Sequence, residues 1–363
     1  MKALASCAVW LVMAFGVAAC SDAAELASSS NASGAAGGGA TSTSGAGGAP
    51  LTSAGTNQSG NGAGVSGAAS RSGAGGGTSG AAGMAGQGGT AIVEPGPVKH
   101  RVMAMEYPGR LVEISAEGEK LWEHQTPSLA VMFTVLPSGH VFFPHGGDKR
   151  GAQEVDRDHN VVWSYDSGAG ELLGGERLAN GNSLLGEGGP AQALELTPDK
   201  QVARTVPVTT TEASAHGQIR HLHRLANGNV LLALEGEGAA RELGPTGATV
   251  WEYKGVSKIH EAIRLPSGNT VIGGGDSKRV LEVTPAGEIA WEFNANDAPE
   301  LGLAWIGSVQ VLKNGDLLVC NWVGANGGAG VHAFQVTRDK KVVWKLDDHQ
   351  LLKSATTVTA LDD

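Results

Sequence analysis

Cysteine is scarce in this chain, and the spacing of the few cysteines excludes two kinds of site. Its 363 residues include three cysteines, Cys7, Cys20 and Cys320, with no Cys-x-x-Cys spacing and no adjacent pair. A disulfide framework and a cysteine-ligated zinc site are therefore excluded. The sequence also lacks a Walker A motif and a Gly-x-Ser-x-Gly motif, so nothing supports nucleotide hydrolysis or the usual serine esterase.

The first quarter of the chain lacks the residues from which a core is built. Residues 31–90 contain 21 glycines, no aromatic residue and one charge, Arg71. Such a segment cannot bury enough apolar surface to fold. We therefore predict three parts: a signal peptide over residues 1–20, a disordered Gly/Ala/Ser/Thr-rich tether over 21–97, and one folded domain over 98–363.

Residues 1–20 have the pattern of a secretory signal, with one lysine followed by an apolar core. They end in Val17-Ala-Ala-Cys20, which resembles the bacterial lipobox. The resemblance implies that Cys20 becomes the acylated N-terminus and contacts the membrane. This would place the protein in the cell envelope, at the outer membrane or cell surface, with a periplasm-facing position as the alternative. The alternative is a plain signal peptide cleaved at an Ala-x-Ala site.

The net charge of −10 lies in the predicted folded domain, because the four charges before residue 92 cancel. Nucleic-acid binding needs a basic face that tracks phosphates, so an acidic domain argues against that partner. A cation, a sugar or a neutral partner remains open.

From residue 98 onward the sequence repeats. A Leu-x-(Ser/Asn)-Gly turn begins at Leu136, Leu178, Leu225, Leu265 and Leu312, and a strand-ending tryptophan recurs at Trp122, Trp163, Trp251, Trp291 and Trp344. Between Trp163 and Trp251 one tryptophan is missing, and Arg204 holds its position. A period of 40–50 residues with four short strands is typical of a β-propeller.

The sequence contains six segments with the pattern of a fourth strand but only five of the Leu-x-(Ser/Asn)-Gly turns that follow a first strand. Residues 355–363 have the pattern of the missing first strand. Residues 101–124 contain the three other strands of the same blade. We therefore predict an all-β, six-bladed propeller of four-stranded blades whose C-terminal strand closes the ring. A β-solenoid, the rival architecture, would not need such a split blade.

Three segments carry a family resemblance: Leu265-Pro-Ser-Gly-Asn-Thr-Val-Ile272, Leu281-Glu-Val-Thr-Pro-Ala-Gly-Glu-Ile-Ala-Trp-Glu-Phe293, and 308–322. They resemble the arylsulfotransferase-like and quinoprotein-like (PQQ-like repeat) propellers. The resemblance implies either sulfate transfer through a catalytic histidine, or a dehydrogenase holding pyrroloquinoline quinone and calcium. The usual quinoprotein has eight blades and a vicinal disulfide, which this sequence lacks, so the cofactor stays unknown.

Function in a propeller is expected where the repeats differ. Loops that enter the innermost strand and loops between the second and third strands share one end of the channel, here called the channel mouth. Polar residues of the first loop set and the adjoining strand starts are His216, Arg220, His221, His260, Glu261 and His349. Those of the second set are His145, Asp148, Lys149, Arg150, Asn321, Trp322 and His332.

The side-chain chemistry of these residues favours either catalysis or the binding of an ion. His260 or His221 could act as nucleophile or general base, and Arg220 could hold an anionic oxygen. Glu261 could orient a histidine or bind a cation, although His260-Glu-Ala-Ile-Arg264 lacks the second histidine of a metalloprotease helix.

We expect a binding or interaction module, with an arylsulfotransferase-like enzyme as the alternative and a carbohydrate lyase or hydrolase as a third possibility. The ligand, whether a small molecule, a glycan or a protein, is not specified, and neither is a metal. A propeller channel is wet, so polar residues such as His223 also occur there without a function.

Overall fold

The computed structural model describes residues 98–363 and folds them into six four-stranded antiparallel sheets. The predicted six-bladed propeller is confirmed. The signal peptide, the lipidated Cys20 and the tether lie outside the described residues. Among the residues described, no helix has the length and apolar character that a membrane crossing requires.

Each blade is a meander whose strands run from the channel outward. The first three strands are β1 (Val102–Glu106), β2 (Arg110–Ile114) and β3 (Lys120–Gln125). Blade 2 contains β4 (Thr134–Val135), β5 (Val141–His145), β6 (Gly151–Val155) and β7 (Val161–Asp166). Blade 3 contains β8 (Glu171–Arg177), β9 (Ser183–Gly188), β10 (Gln192–Leu196) and β11 (Val202–Pro207).

The remaining blades follow the same plan. Blade 4 contains β12 (His221–Arg224), β13 (Val230–Leu234), β14 (Ala239–Leu243) and β15 (Thr249–Lys254). Blade 5 contains β16 (Ile259–Arg264), β17 (Thr270–Gly274), β18 (Arg279–Val283) and β19 (Ile289–Asn294). Blade 6 contains β20 (Ile306–Val311), β21 (Leu317–Asn321), β22 (Ala333–Val336) and β23 (Val342–Leu346), and the last strand is β24 (Ala355–Ala360).

The ring closes through the C-terminal strand, as the repeat count predicts. In the first sheet the strand order is β24-β1-β2-β3, so β24 is the inner strand of blade 1. It pairs with β1 in antiparallel register, with Val102 opposite Ala360 and Ala104 opposite Val358. A solenoid would have left β24 unpaired with the first repeat.

The hydrophobic core is divided among the blade interfaces. Six clusters of buried apolar residues are found, one between each pair of neighbouring blades. Met105 of blade 1 packs with Phe143 of blade 2, and Phe293 of blade 5 lies 5.4 Å, centroid to centroid, from Phe334 of blade 6. Neighbouring blades cover both faces of each sheet, which explains why the second strand of each blade is largely apolar and buried.

The outer-strand tryptophans connect each blade to the next one. Four indole Nε1–H groups donate to a backbone carbonyl in the turn before the neighbouring outer strand, at 2.7–3.0 Å: Trp122 to Arg157, Trp163 to Pro198, Trp251 to Pro285 and Trp291 to Arg338. Opposite each of these tryptophans stands a glutamate of the third strand. That glutamate binds an arginine of the next blade.

Blade 3 is the exception that the sequence indicated. Arg204 stands opposite Glu195, where the other blades have tryptophan. Its Nη1 donates to the carbonyl of Gly228 in blade 4, at 2.8 Å. Arg204 therefore also reaches the next blade, through a different turn.

Two short helical turns interrupt the all-β pattern and were not predicted. They are α1 (Ala215–Gln218), before the inner strand of blade 4, and a 3-10 turn (Pro299–Leu301), before the inner strand of blade 6. Both lie in long connections at the channel mouth. As a result His216 lies in a helical turn instead of an extended segment.

We predict that Trp291→Phe lowers the free energy of unfolding by about 1 kcal/mol more than Trp344→Phe does. Both tryptophans are partly buried, but of these two residues Trp291 alone donates an interblade hydrogen bond within residues 98–363. A net hydrogen bond contributes about 0.5–1.5 kcal/mol. Urea unfolding of the two variants measures the difference, and equal losses would contradict a stabilising role for this bond.

Candidate functional site at the channel mouth

Four of the six inner strands carry a β-bulge near their first residues. The pairing of the inner strand skips Leu173 in blade 3, His260 in blade 5, Gly307 in blade 6 and Thr356 in blade 1. A bulge re-aims side chains, because two successive residues then oppose one on the partner strand. In blade 5 it lets the neighbours His260 and Glu261 reach two different groups of partners.

The first group, the mouth network, consists of Glu171, His216, Arg220, Glu235 and His260. Its centre is the ion pair of Arg220 and Glu235, whose side chains are 6% and 8% exposed. Arg220 donates from Nε to Glu235 Oε2 at 2.6 Å and also from Nη2. Lys258 Nζ and His260 Nε2 lie 3.8 and 3.6 Å from the same carboxylate. The charge of Arg220 is thus matched inside the protein.

The environment of this pair shifts the pKa of two of its members. Burial alone would raise the pKa of Glu235, but Arg220 and His260 outweigh it and hold that pKa well below its usual range. Burial, with the nearby Arg220 charge, lowers the pKa of His260. His260 is therefore neutral at pH 7.

The hydrogen bonds of His216 define its tautomer. Arg220 Nη2 lies 3.0 Å from His216 Nε2, and a guanidinium can only donate. His216 Nε2 must therefore accept, and the proton is on Nδ1, 3.2 Å from Glu171 Oε2. Glu171 Oε1 in turn accepts from the amide of Gly147 at 2.8 Å. This chain of contacts joins the loop of blade 2 to the inner strands of blades 3 and 4.

The second group, the channel cluster, consists of Glu176, His221, His223 and Glu261. His221 and His223 are two residues apart on β12, so their side chains face the same side of the sheet. His221 Nδ1 lies 2.6 Å from Glu261 Oε1, and His223 Nε2 lies 3.3 Å from the same oxygen. His223 Nδ1 is 3.0 Å from Glu176 Oε2. Blades 3, 4 and 5 each contribute to this cluster.

Burial and mutual contacts act in opposite directions on the channel cluster. Burial would lower the pKa of His223, but hydrogen bonds to Glu176 and Glu261 raise it to about 10. Burial would raise the pKa of Glu261, but His221 and His223 lower it instead. Within the described range, His221, His223 and Glu261 form the one group of three whose ligand atoms all lie within 4.8 Å of one another, close enough to hold a metal ion.

Three partly exposed aromatic side chains continue the mouth toward blades 6 and 1. Trp305 stands edge-on to His260 at 5.3 Å, Trp322 edge-on to Trp305 at 5.8 Å, and Tyr107 is tilted toward Trp322 at 6.0 Å, all between ring centroids. Here they are called the aromatic group. The indole Nε1 atoms of Trp305 and Trp322 are buried and have no partner among the described residues.

The other predicted site residues do not join these groups. His145 is buried and donates from Nδ1 to the carbonyl of Lys149 at 2.6 Å, and the neighbouring Asp148, Lys149 and Arg150 are exposed. Asn321 is fully buried and accepts from the amides of Ala304 and Trp305, so it shapes the loop that carries the aromatic group.

His332 and His349 form a separate pair with ring centroids 4.4 Å apart. His332 is fully buried, and this burial lowers its pKa. Cys320 is buried, and its Sγ–H donates to the carbonyl of Ala355 at 3.4 Å.

Sequence reasoning missed Glu171, Glu176, Glu235, Tyr107 and Trp305. One signal was available, because Glu176 and His223 both stand two residues before the turn leucine, where Ile263 and Gln310 stand in blades 5 and 6. Glu235 had no comparable signal, since its loop differs in length and composition from blade to blade.

Comparisons with known proteins support the fold alone. No family model matches the chain, and no curated protein does. A protein of unknown function from Bacteroides caccae is 22% identical with a TM-score of 0.66, the match covering 73% of this chain and 100% of that one. A streptogramin B lyase is 12% identical (69% and 83% covered, TM-score 0.50), and a virginiamycin B lyase from Staphylococcus aureus is 14% identical (67% and 83%, TM-score 0.48).

We predict that Arg220→Met lowers the free energy of unfolding by about 3–5 kcal/mol at pH 7, because it leaves the buried Glu235 without its main cation. Arg279→Met is the matched control, since Arg279 and Glu292 form a more exposed pair worth at most about 1 kcal/mol.

The effect of Arg220→Met should depend on pH. The pKa of Glu235 is lower in the folded protein than in the unfolded chain. The ionised Glu235 therefore stabilises the fold at pH 7, and this stabilisation is lost as the pH falls from the ordinary glutamate pKa toward the lowered pKa of the folded state. Lys258 and His260 also face this carboxylate. Urea unfolding should therefore show a smaller wild-type-to-variant difference at pH 4 than at pH 7. A constant difference would contradict this assignment.

Proposed function

We propose that this propeller is a binding module whose ligand occupies the channel mouth. The observation that carries the proposal is the asymmetry of the inner strands. At the bulge position blade 5 has His260, joined to Arg220 of blade 4 through Glu235, whereas blades 6 and 1 have Gly307 and Thr356. Residues needed only to pack a repeat would recur around the ring, and these do not.

The chemistry of the mouth favours a neutral, ring-containing ligand with hydroxyl groups, such as a saccharide. Arg220 and Glu235 neutralise each other, which removes the attraction for a strongly charged ligand. The aromatic group offers partly exposed ring faces beside them, and rings of this kind present both apolar faces and polar edges.

Binding at the mouth predicts that an oligosaccharide from a panel of neutral glucans, xylans and chitin fragments raises the melting temperature. A ligand at about 100 times its Kd stabilises by about 2.7 kcal/mol, which amounts to several degrees in a domain of this size. His260→Ala and Trp305→Ala should abolish the shift.

His140→Ala is the control, since His140 lies at the opposite end of the channel, beside Glu154. A shift that survives in both mouth variants would place the ligand elsewhere. No shift with any saccharide, from protein that melts cooperatively, would reject this ligand class.

An arylsulfotransferase-like activity is the second candidate. It is favoured by His260 and Arg220 contacting the same carboxylate, which brings a neutral imidazole close to a guanidinium. Sulfate binding would require Arg220 to exchange Glu235 for the incoming anion. An aryl sulfate donor, included in the same melting experiment, tests binding, and its incubation with a second phenol as sulfate acceptor tests transfer, with release of the donor's phenol and sulfation of the acceptor as readouts.

We also propose that the protein is exported and anchored to the cell envelope through Cys20. The support is the signal-like segment, the lipobox-like Val17-Ala-Ala-Cys20 and the glycine-rich segment that follows. Several acyl chains on one cysteine would give stable attachment, which a single chain would not.

Lipidation predicts that Cys20→Ser abolishes incorporation of labelled palmitate and moves the protein from the detergent phase to the aqueous phase in a bacterial host. Cys7→Ser is the matched control, because Cys7 lies in the segment that would be removed. Equal labelling of wild type and Cys20→Ser would reject Cys20 as the anchor, and absence of labelling in a processed wild type would leave the plain signal peptide.

A further inference from the structure

From the channel cluster we infer a divalent metal site with His221, His223 and Glu261 as ligands and with Glu176 as the group that orients His223. Two imidazoles and one carboxylate form a ligand set typical of zinc sites that keep a coordination position open. The site lies beyond the mouth network, so this inference does not rest on the proposed saccharide ligand.

The distances within the cluster suit a small tetrahedral ion. Bonds of about 2.0–2.2 Å to nitrogen and oxygen place neighbouring ligand atoms about 3.3 Å apart. His223 Nε2 and Glu261 Oε1 are separated by 3.3 Å, and all three ligand atoms lie within 4.8 Å of one another. The 2.6 Å contact of His221 Nδ1 with the same oxygen would lengthen as the ion enters.

Glu176 provides a second, independent observation. A metal-binding histidine usually donates its other ring N–H to a carboxylate or carbonyl, which sets the tautomer and the ring orientation. His223 Nδ1 has this partner in Glu176 Oε2 at 3.0 Å, and Glu176 Oε1 is itself held by the amide of Arg224 at 2.6 Å. His223 therefore presents Nε2 toward Glu261 from a fixed position.

Charge and access are consistent with a cation. Metal binding requires deprotonated ring nitrogens, and once these protons are released Glu176 and Glu261 leave the cluster with two negative charges, which a divalent ion would balance. The side chain of Glu261 is 5% exposed, that of His221 13% and that of His223 29%. The ligands are thus largely desolvated, while His223 leaves a path for the ion and room for a water or a ligand atom.

Protons on the histidines would balance the same charge, so the experiment must distinguish a bound metal ion from protonated histidines. The full-length protein is freed of metal with a chelator and titrated with Co²⁺, whose visible absorption reports low-coordinate nitrogen and oxygen ligation. We expect one Co²⁺ per chain, displaced by Zn²⁺. His221→Gln and His223→Gln should each abolish this signal, and Glu176→Gln should weaken binding about 10- to 100-fold.

The protein contains its own competing site and its own control. His124 and His159 are stacked on the outer surface with their Nδ1 atoms 3.3 Å apart, and they could also bind Co²⁺. His124→Gln and His140→Gln should leave the signal unchanged. Loss of the signal in His124→Gln would instead assign the metal to the surface pair and overturn the inference.

Two further results would also overturn it. One is the absence of Co²⁺ or Zn²⁺ binding by folded wild type, which would identify the cluster as an ion-pair network of protonated histidines. The other is unchanged binding in Glu176→Gln, which retains all three ligands and so tests the site even if the histidine variants fail to fold. Because metal binding is measured without saccharide, and saccharide binding without metal, failure of one proposal leaves the other standing.

Discussion

Each blade depends on its neighbour for the contacts that stabilise it. A twisted four-stranded sheet has two apolar faces that it cannot cover by itself. The neighbouring blades cover them, and the buried side chains form one cluster at each blade interface. The outer-strand indoles and the glutamate–arginine pairs add polar contacts across the same interfaces. The strand pairing of β24 with β1 makes the ring continuous, and every other feature is built on that closed arrangement.

The candidate site uses the parts of the repeat that this arrangement leaves free. The first residues of inner strands 5, 6 and 1, which are Ile259, Ile306 and Ala355, belong to the interblade core, whereas the bulged residues that follow them do not and can therefore vary without loss of core. Bulges at Leu173, His260, Gly307 and Thr356 change the direction of side chains at this level while the turn at the other end of the strand is kept. In blade 5 one bulge separates the mouth network from the channel cluster.

The repeat pattern predicted the fold because the residues that recur are those that the interface needs. The turn glycines have positive φ, for example 82° at Gly228 and 91° at Gly268, and the tryptophans bond to the next blade. The pattern also led to His216, Arg220, His260 and Glu261, since these break the repeat. It could not predict their partners, because the Glu235 contact with Arg220 depends on a loop between two strands, and Asn321 resembles a site residue until its backbone contacts are seen.

The position of β24 determines when the domain can become complete. Val102 and Ala360, which face each other in blade 1, are 258 positions apart in the chain. Until that distant strand is synthesised, blade 1 has an open inner edge and the interfaces on either side of it lack part of their buried surface. Bringing these two strands together carries a loop-closure entropy cost that the pairs of consecutive strands in the other blades do not have. Blades 2 to 6 pair only strands that are consecutive in the chain, so their sheets can form before the C-terminus exists, whereas blade 1 and the closed ring depend on the last residues to be synthesised.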